Sequence, residues 1–214
     1  MRIATPEIAR IHAHICGDGN VNYYKSKRYW KDLINRRKEY FLEWNVEYTN
    51  TSPQFIDEFR KDVFAAFNRK TYYNERNHKV KIHCAKHIIQ KLEVDRKNSY
   101  TWFVPSFILQ SQKRIKTNWL RAFFDDEATV CKDKKRIRVK SMNHFGLQQV
   151  ARLLGDIGIK TKITGQSCDR SWYLNVYRDD IEKYQKLVNF LHPEKNKKLE
   201  ASVNYVKRSG LREI

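Results

Sequence analysis

Two short stretches carry the residues best placed to do chemistry. "IHAHICGDGN" ends an apolar run in Asp18 and Gly19, and "LRAFFDDEAT" ends another in Glu127 and Ala128. Both runs read as buried helices, so each acid stands at a helix C-terminus. That end already carries partial negative charge on its carbonyls, and a carboxylate there costs from a few tenths to about 1 kcal/mol. One Asp-Gly after a helix is an ordinary turn. Two acids at the ends of the two most apolar helices of one chain need another explanation.

A second group of candidates lies on strands. In "RIRVK", Arg136, Arg138 and Lys140 share one face and Ile137 and Val139 the other. Lys160 and Lys162 alternate with Thr161 and Ile163, and Lys79, Lys81 and His83 alternate with Val80 and Ile82. A solvated face could look like this on one strand. Three strands with the same sign of charge fit a sheet that faces nucleic acid, since a β-ribbon fits the DNA major groove and Arg and Lys read guanine edges there. His83, Cys84 and His87 have zinc-like spacing but no second cysteine pair to complete a site. Cys16, inside the first helix, reads as a buried structural thiol. Trp102, Trp119 and Trp172 read as core residues before base-stacking platforms.

The elements that must hold these groups repeat. Thr5 caps the first helix with Pro6 at its first position, and the helix runs to Gly17 or Asp18. Ser111 is expected to cap a second helix running to about Asp126. After each comes a charged, β-forming tract, then an amphipathic helix. Ser52 and Pro53 begin the first of these and Asn143 begins the second, which ends near Gly158. Two more strands and a closing helix follow each. The order is α-β-β-α-β-β-α, twice, with "RKNSYTWFVPSFILQ" joining the halves and "PEKNKKLEASVNYVKR" as a last polar helix. The expected division is 1–98, a linker at 99–110, and 111–214.

Composition bounds the partner. The chain has 214 residues, enough for one large or two small cores, and a formal net charge of +19. The positive charge recurs along the whole length, which favours a polyanion and nucleic acid first, with an anionic membrane surface as competitor. No stretch is long and apolar enough to span a bilayer, the N-terminus lacks a signal-peptide core, and the four cysteines form no C-x-x-C pair. A cytoplasmic protein with reduced thiols is the expectation.

With these residues in view, the chain resembles the LAGLIDADG homing endonucleases in their single-chain, two-repeat form, most like the archaeal intron-encoded members. "IHAHICGDG" matches the motif in Ile11, Ala13, Ile15, Gly17, Asp18 and Gly19; "LRAFFDDEA" matches in Leu120, Ala122, Phe123, Phe124, Asp125 and Glu127. "VPSFILQS" and "HPEKNKKLE" also look like the family. His12 and His14 are polar where the motif is usually apolar, Asp126 stands where a small residue is usual, and Ala128 replaces the closing glycine. Asp126 is expected to disturb the packing of the motif helices, and Ala128 to need a slightly different helix exit.

The resemblance implies an α+β fold: two pseudo-symmetric repeats whose antiparallel sheets form a DNA-binding saddle, with the motif helices at their interface. It implies that Asp18 and Glu127 are the acids of the active site. Divalent cations, Mg²⁺ or Mn²⁺, would relieve their repulsion, and the helix-end carbonyls of Gly17 and Asp126 are candidate ligands. Lys86 and Arg178 match the basic residue beyond the last strand of each repeat, and Asn50 and Ser141 the polar position ending the second strand. DNA contacts are expected from Lys25, Arg28, Arg36 and Arg37 on the first hairpin and from Asn50. The rest of the first repeat offers Arg69, Lys70, Tyr72, Asn74, Arg76, Lys79 and Lys81. The second offers Lys134, Arg136, Arg138, Lys140, Ser141, Lys160, Lys162, Thr164, Gln166 and Arg170. The implied activity is that of a monomer cutting both strands of double-stranded DNA to short 3′ overhangs, which mobilises a host intron. The rivals are an RNA maturase, whose partner would be the host intron RNA, a DNA-binding regulator without cleavage, and an RNA-processing endonuclease.

Overall fold

A computed structural model describes residues 4–29, 38–83, 85–94, 100–131 and 136–210. The first repeat runs α1 (Pro6–Cys16), β1 (Gly19–Tyr29), β2 (Lys38–Thr49), α2 (Pro53–Phe67), β3 (Tyr72–Asn74), β4 (Lys79–Ile82) and α3 (Lys86–Leu92). A short helix, α4 (Ser106–Leu109), leads into the second: α5 (Lys113–Glu127), β5 (Ala128–Cys131), β6 (Arg136–Ser141), α6 (His144–Asp156), β7 (Lys162–Thr164), β8 (Trp172–Val176) and α7 (Arg178–Leu187). The tail forms α8 (Pro193–Gly210). Each repeat builds a four-stranded antiparallel sheet of the same topology, β1-β2-β4-β3 and β5-β6-β8-β7.

Local chemistry sets the helix starts. The Thr5 hydroxyl accepts the Ile8 N–H at 3.3 Å, with Pro6 at the first helical position. The Asn143 side chain accepts the Gly146 N–H at 2.9 Å and donates to the Trp102 carbonyl, so one residue caps α6 and pins the connecting segment. Gln149 pairs with both the N–H and the carbonyl of Val104 in that segment. Two caps differ from expectation. Ser111 turns back to the Ile108 carbonyl at 2.7 Å and closes α4, leaving Gln112 to precede α5. Ser52 makes no side-chain cap; its N–H is taken by Asn50 Oδ1, which frees the Asn50 amide group for the site described below.

The two cores meet along α1. Ile8, Ile11 and Ile15 pack into the first repeat with Val46, Tyr48, Phe59 and Val80. Ala9, Ala13 and Cys16, on the adjoining stripe, pack into the second with Trp119, Phe123 and Leu174. Large residues on one face and small ones on the next let α1 lie close against α5 while burying both flanks. Trp119 and Trp102 are core, as expected; Trp172 is half-buried and stacks on His144, with ring centroids 4.0 Å apart. Among the described residues no helix is long and apolar enough to cross a membrane.

Candidate active site at the paired helix ends

The two helices stop differently. α1 ends at Cys16, and the Gly17 N–H donates to the Ala13 carbonyl at 2.9 Å. The chain then turns through Asp18 into β1, and the Asp18 carbonyl accepts the Thr49 N–H. Gly19 is required by space, since a Cβ there would lie 2.4 Å from the Ile15 Cα. The second helix continues through Glu127 and leaves by Ala128 in an extended conformation (φ −88°), open to any residue. No glycine is needed, so Ala128 is accommodated without strain.

Asp126 is also accommodated. Its carboxylate accepts from the Tyr48 hydroxyl at 2.9 Å and lies 2.9 Å from His14 Nδ1 and 3.4 Å from Asn50 Nδ2. The His14 and Asp126 side chains are both fully shielded from solvent. Gly17 makes room: a Cβ on it would stand 2.8 Å from Asp126 Cβ. The expected disturbance of packing is therefore absent, because the glycine that caps α1 faces the aspartate on α5 and a histidine neutralises it. His14 in turn lies 3.9 Å from Glu58, which is bound by Arg121 at 2.5 Å, while Arg10 holds Asp62 and Asn118. His12 accepts the Trp119 indole N–H at 3.1 Å. Both histidines that break the apolar motif thus bond across to α5.

Asn50 ties this buried cluster to the outer acid. Its Oδ1 accepts the Ser52 N–H, which fixes the amide orientation, and its Nδ2 donates to Asp18 Oδ2 at 3.0 Å. The protein packed around Asp18, and then the charge of Asp126, push its carboxyl up to about 6. Burial, then the charges of Asp18 and Asp126, push Glu127 up to about 7. Glu127 therefore feels the charge of Asp18, and the charges that oppose the shifts, Lys195 at both acids and His14 at Asp18, do not outweigh burial and repulsion. Burial disfavours charge on His14, but Asp126 and Glu58 outweigh it and hold the imidazole protonated, up to about 10. Burial, with Asp126 adding to it, raises the Tyr48 phenol far above its ordinary value, so it stays a donor.

The donors available to a cation are oxygens, the chemistry that suits Mg²⁺ or Mn²⁺. Among the described residues no three His, Cys, Asp or Glu side chains form a metal group by themselves. Asp18 and Glu127 fit such an ion as a pair whose repulsion it would relieve, the remaining ligands coming from backbone or substrate oxygens. Of the two carbonyl candidates, that of Asp126 accepts from Lys195 Nζ at 3.3 Å. Cys84 lies outside the described residues.

Two expected catalytic cations lie elsewhere. The strand pairs Thr49–Lys79 and Val46–Ile82 show that β4 runs away from the helix ends, and the Ala85 N–H donates to the Trp44 carbonyl. Lys86 is therefore displaced along the sheet by five residue steps or more, about 17 Å. Arg178 follows Val176, which pairs with Ile137, four steps or roughly 13 Å outward from the Ser141–Trp172 pair. The last strand of each repeat begins, rather than ends, at the centre. Ser141 and Lys140, at the central end of β6, instead share with Glu127 a cavity of about 520 Å³ that also includes Ile15, Gly17, Trp102, Asp169 and Ser171.

The outward sheet faces carry the expected bases. Arg136, Arg138 and Lys140 alternate with buried Ile137 and Val139, and Lys79 and Lys81 with buried Val80 and Ile82. Several are already engaged. Lys79 and Lys81 hold Glu47 at 3.0 and 3.6 Å, Lys140 holds Asp169 at 2.5 Å, and Arg138 lies over the Tyr173 ring. Lys25, Lys70, Tyr72, Arg76, Lys160, Lys162, Gln166 and Arg170 are exposed, and Asn74 and Thr164 are half-buried on the outer strands. Arg69 donates to the His83 carbonyl. Arg36, Arg37 and Lys134 lie outside the described residues; Arg28 belongs to β1. Sequence reasoning missed His14, Tyr48 and Lys195. For Lys195 a signal existed, because a lysine in the first turn of α8 sits where a helix disfavours cations.

A family model described as LAGLIDADG-like domain matches residues 114–190. The solved structure of mesophilic variants of the homing endonuclease I-DmoI is 19% identical, with a TM-score of 0.60, over 86% of this chain and 90% of that one. I-DmoI in complex with DNA and Mn is 19% identical, with a TM-score of 0.59, over 87% and 97%. The I-LtrWI LAGLIDADG homing endonuclease bound to target DNA is 11% identical, with a TM-score of 0.56, over 97% and 92%. The glutamine–fructose-6-phosphate aminotransferase (isomerizing) of Methanocaldococcus jannaschii is 26% identical over 98% of this chain, which spans only 18% of that protein's length. Residues 114–190 are thus similar to the LAGLIDADG-like domain, and the whole chain shares the two-repeat fold of I-DmoI.

Proposed function

We propose that this chain is a divalent-metal-dependent, site-specific DNA endonuclease that cuts both strands of its target. The observation that carries this is the pair of acids, Asp18 and Glu127, brought within each other's field at the ends of two packed helices, between two sheets that present basic residues outward. DNA lies across the two sheet faces, its phosphates neutralised by lysines and arginines, so affinity falls steeply with salt. When bound, Mg²⁺ or Mn²⁺ supplies the activated nucleophile and stabilises the leaving oxygen. The chain's own part is placement. Asn50 holds the Asp18 carboxylate by one oxygen, and Asp18 with Glu127 would hold the ion. The Asp126 carboxylate is kept inside the helix interface by His14 and Tyr48, which leaves its carbonyl at the helix end. Arg138, Lys81 and their neighbours read base edges from the major groove.

The reading extends to short 3′ overhangs and to mobility of a host intron. That almost the whole chain aligns within 18% of a much longer protein is what a transferable unit would show; nothing of the aminotransferase activity is carried over. The test is a randomised duplex library incubated with Mg²⁺ or with EDTA, followed by sequencing of new double-strand ends. The expected result is one recurrent sequence with staggered ends, dependent on the ion. A protein that retains DNA without new ends acts as a regulator. One that retains only its host intron RNA acts as a maturase.

A further inference from the structure

Lys195 is the third residue of α8, in the turn where a helix disfavours a cation. Its ammonium reaches out of α8 to the end of α5. Nζ donates to the carbonyls of Asp125 at 2.5 Å, Asp126 at 3.3 Å and Phe124 at 3.4 Å. These are last-turn carbonyls, the groups a helix leaves short of donors. The same junction is tied in the reverse direction, since the Asp125 carboxylate accepts the N–H groups of Leu191 and His192. α1 ends otherwise: Cys16 stands where α5 has Asp125, and among the described residues α8 follows the second repeat and has no counterpart after the first. α8 itself is anchored by Leu199 and Val203 in the second core, so holding the helix in place does not need the ammonium.

We propose that Lys195 is a positioning residue for cleavage: it clamps the carbonyl end of α5, fixes the aim of Glu127, and makes the two helix ends unequal toward a divalent ion. This rests on the reading of Asp18 and Glu127 as the acids of an endonuclease. The ammonium is bonded directly to the carbonyls at the Glu127 end, whereas it reaches Asp18 through its field alone; among the described residues its hydrogen bonds go to the end of α5. The two DNA strands therefore depend differently on Lys195.

The test compares Lys195→Met, which keeps the stem, with Lys195→Arg, which keeps the charge. In the metal-free protein, amide exchange at Ala128, whose N–H closes α5 on Phe124, quickens about tenfold in the Met variant, the scale of a lost bond to a charged group. Exchange at Leu199 and Val203 stays as in the wild type, showing α8 still docked. With Mn²⁺ and a selected target duplex labelled on either strand, the ratio of the two nicking rates changes about tenfold or more in the Met variant and returns toward wild type in the Arg variant. Unchanged Ala128 exchange overturns the proposal. So does an unchanged strand ratio, or an Arg variant as impaired as the Met variant. If the wild type cuts no duplex, the endonuclease reading has failed, and Ala128 exchange alone upholds or overturns the clamp.

Discussion

His14 on α1 and Asp126 on α5 form an ion pair, Nδ1 to Oδ2 at 2.9 Å, with both side chains fully removed from solvent. These are two of the positions at which the chain leaves the LAGLIDADG pattern, and each is the other's partner. Read singly, a polar residue at an apolar position and a carboxylate at a small one look like defects. Read together, they are one buried pair, with Gly17 providing the space and Tyr48 and Asn50 completing the hydrogen bonds.

Breaking this pair from one side leaves an uncompensated buried charge. Asp126→Ala and His14→Leu should each destabilise the fold by about 3–5 kcal/mol, and the double variant should recover much of that loss. Urea unfolding of the four proteins measures the coupling. Additive losses would mean that the pair holds nothing in common.

Stability should fall as pH rises across two windows. Asp18 and Glu127 have folded values of about 6 and about 7, above their unfolded values of 3.8 and 4.5, and Asp125 is similarly raised to about 6. The folded state thus binds these protons more tightly, and the advantage present below pH 4 is lost as pH rises through 7. His14 is raised from 6.5 to about 10, so its contribution is full below 6.5 and disappears as pH climbs toward 10. Melting temperature in EDTA tracks both slopes. His14→Leu should flatten the alkaline one, and added Ca²⁺ should stabilise more at pH 7.5 than at pH 5.5. A Ca²⁺ effect independent of pH would contradict the carboxylate assignment.

Asn50→Ala should reduce cleavage more than it reduces binding. It removes the donor that orients Asp18, and loss of such a supporting partner costs about 10- to 100-fold in metal affinity or activity. Single-turnover rates at saturating DNA, beside binding in Ca²⁺, separate the two effects; a loss confined to binding would assign Asn50 to DNA contact.

The standing of Asp18 and Glu127 at helix ends, the repeat and most helix starts are legible in the sequence, because Thr5, Asn143 and the alternation of Arg136 to Lys140 act through near neighbours. What could not be read depends on contacts across the fold. The pairing of His14 with Asp126 joins residues on separate helices. The role of Lys195 needs α8 laid against the end of α5. Lys86 and Arg178 were misplaced because position after a strand says nothing about which end of that strand lies at the centre. The outward run of β4 and β8 settles that, and it changes the forecast for both cations.

Lys86→Ala and Arg178→Ala should accordingly leave the cleavage rate at saturating DNA within about twofold, each acting only as a surface charge. Arg138→Ala should weaken binding to the selected target by about 1–3 kcal/mol and relax the preference at one base position. Binding titrations against single-base variants of the target test this; a uniform loss over all variants would make Arg138 a phosphate contact.

Strand-resolved cleavage of the selected duplex in Mg²⁺ by the wild type, Asp18→Asn and Glu127→Gln tests most sharply whether these two acids cut DNA. The wild type should cut both strands, while each variant should bind the duplex as tightly as the wild type and cut neither strand at a comparable rate. Wild-type cutting by both variants would contradict that role.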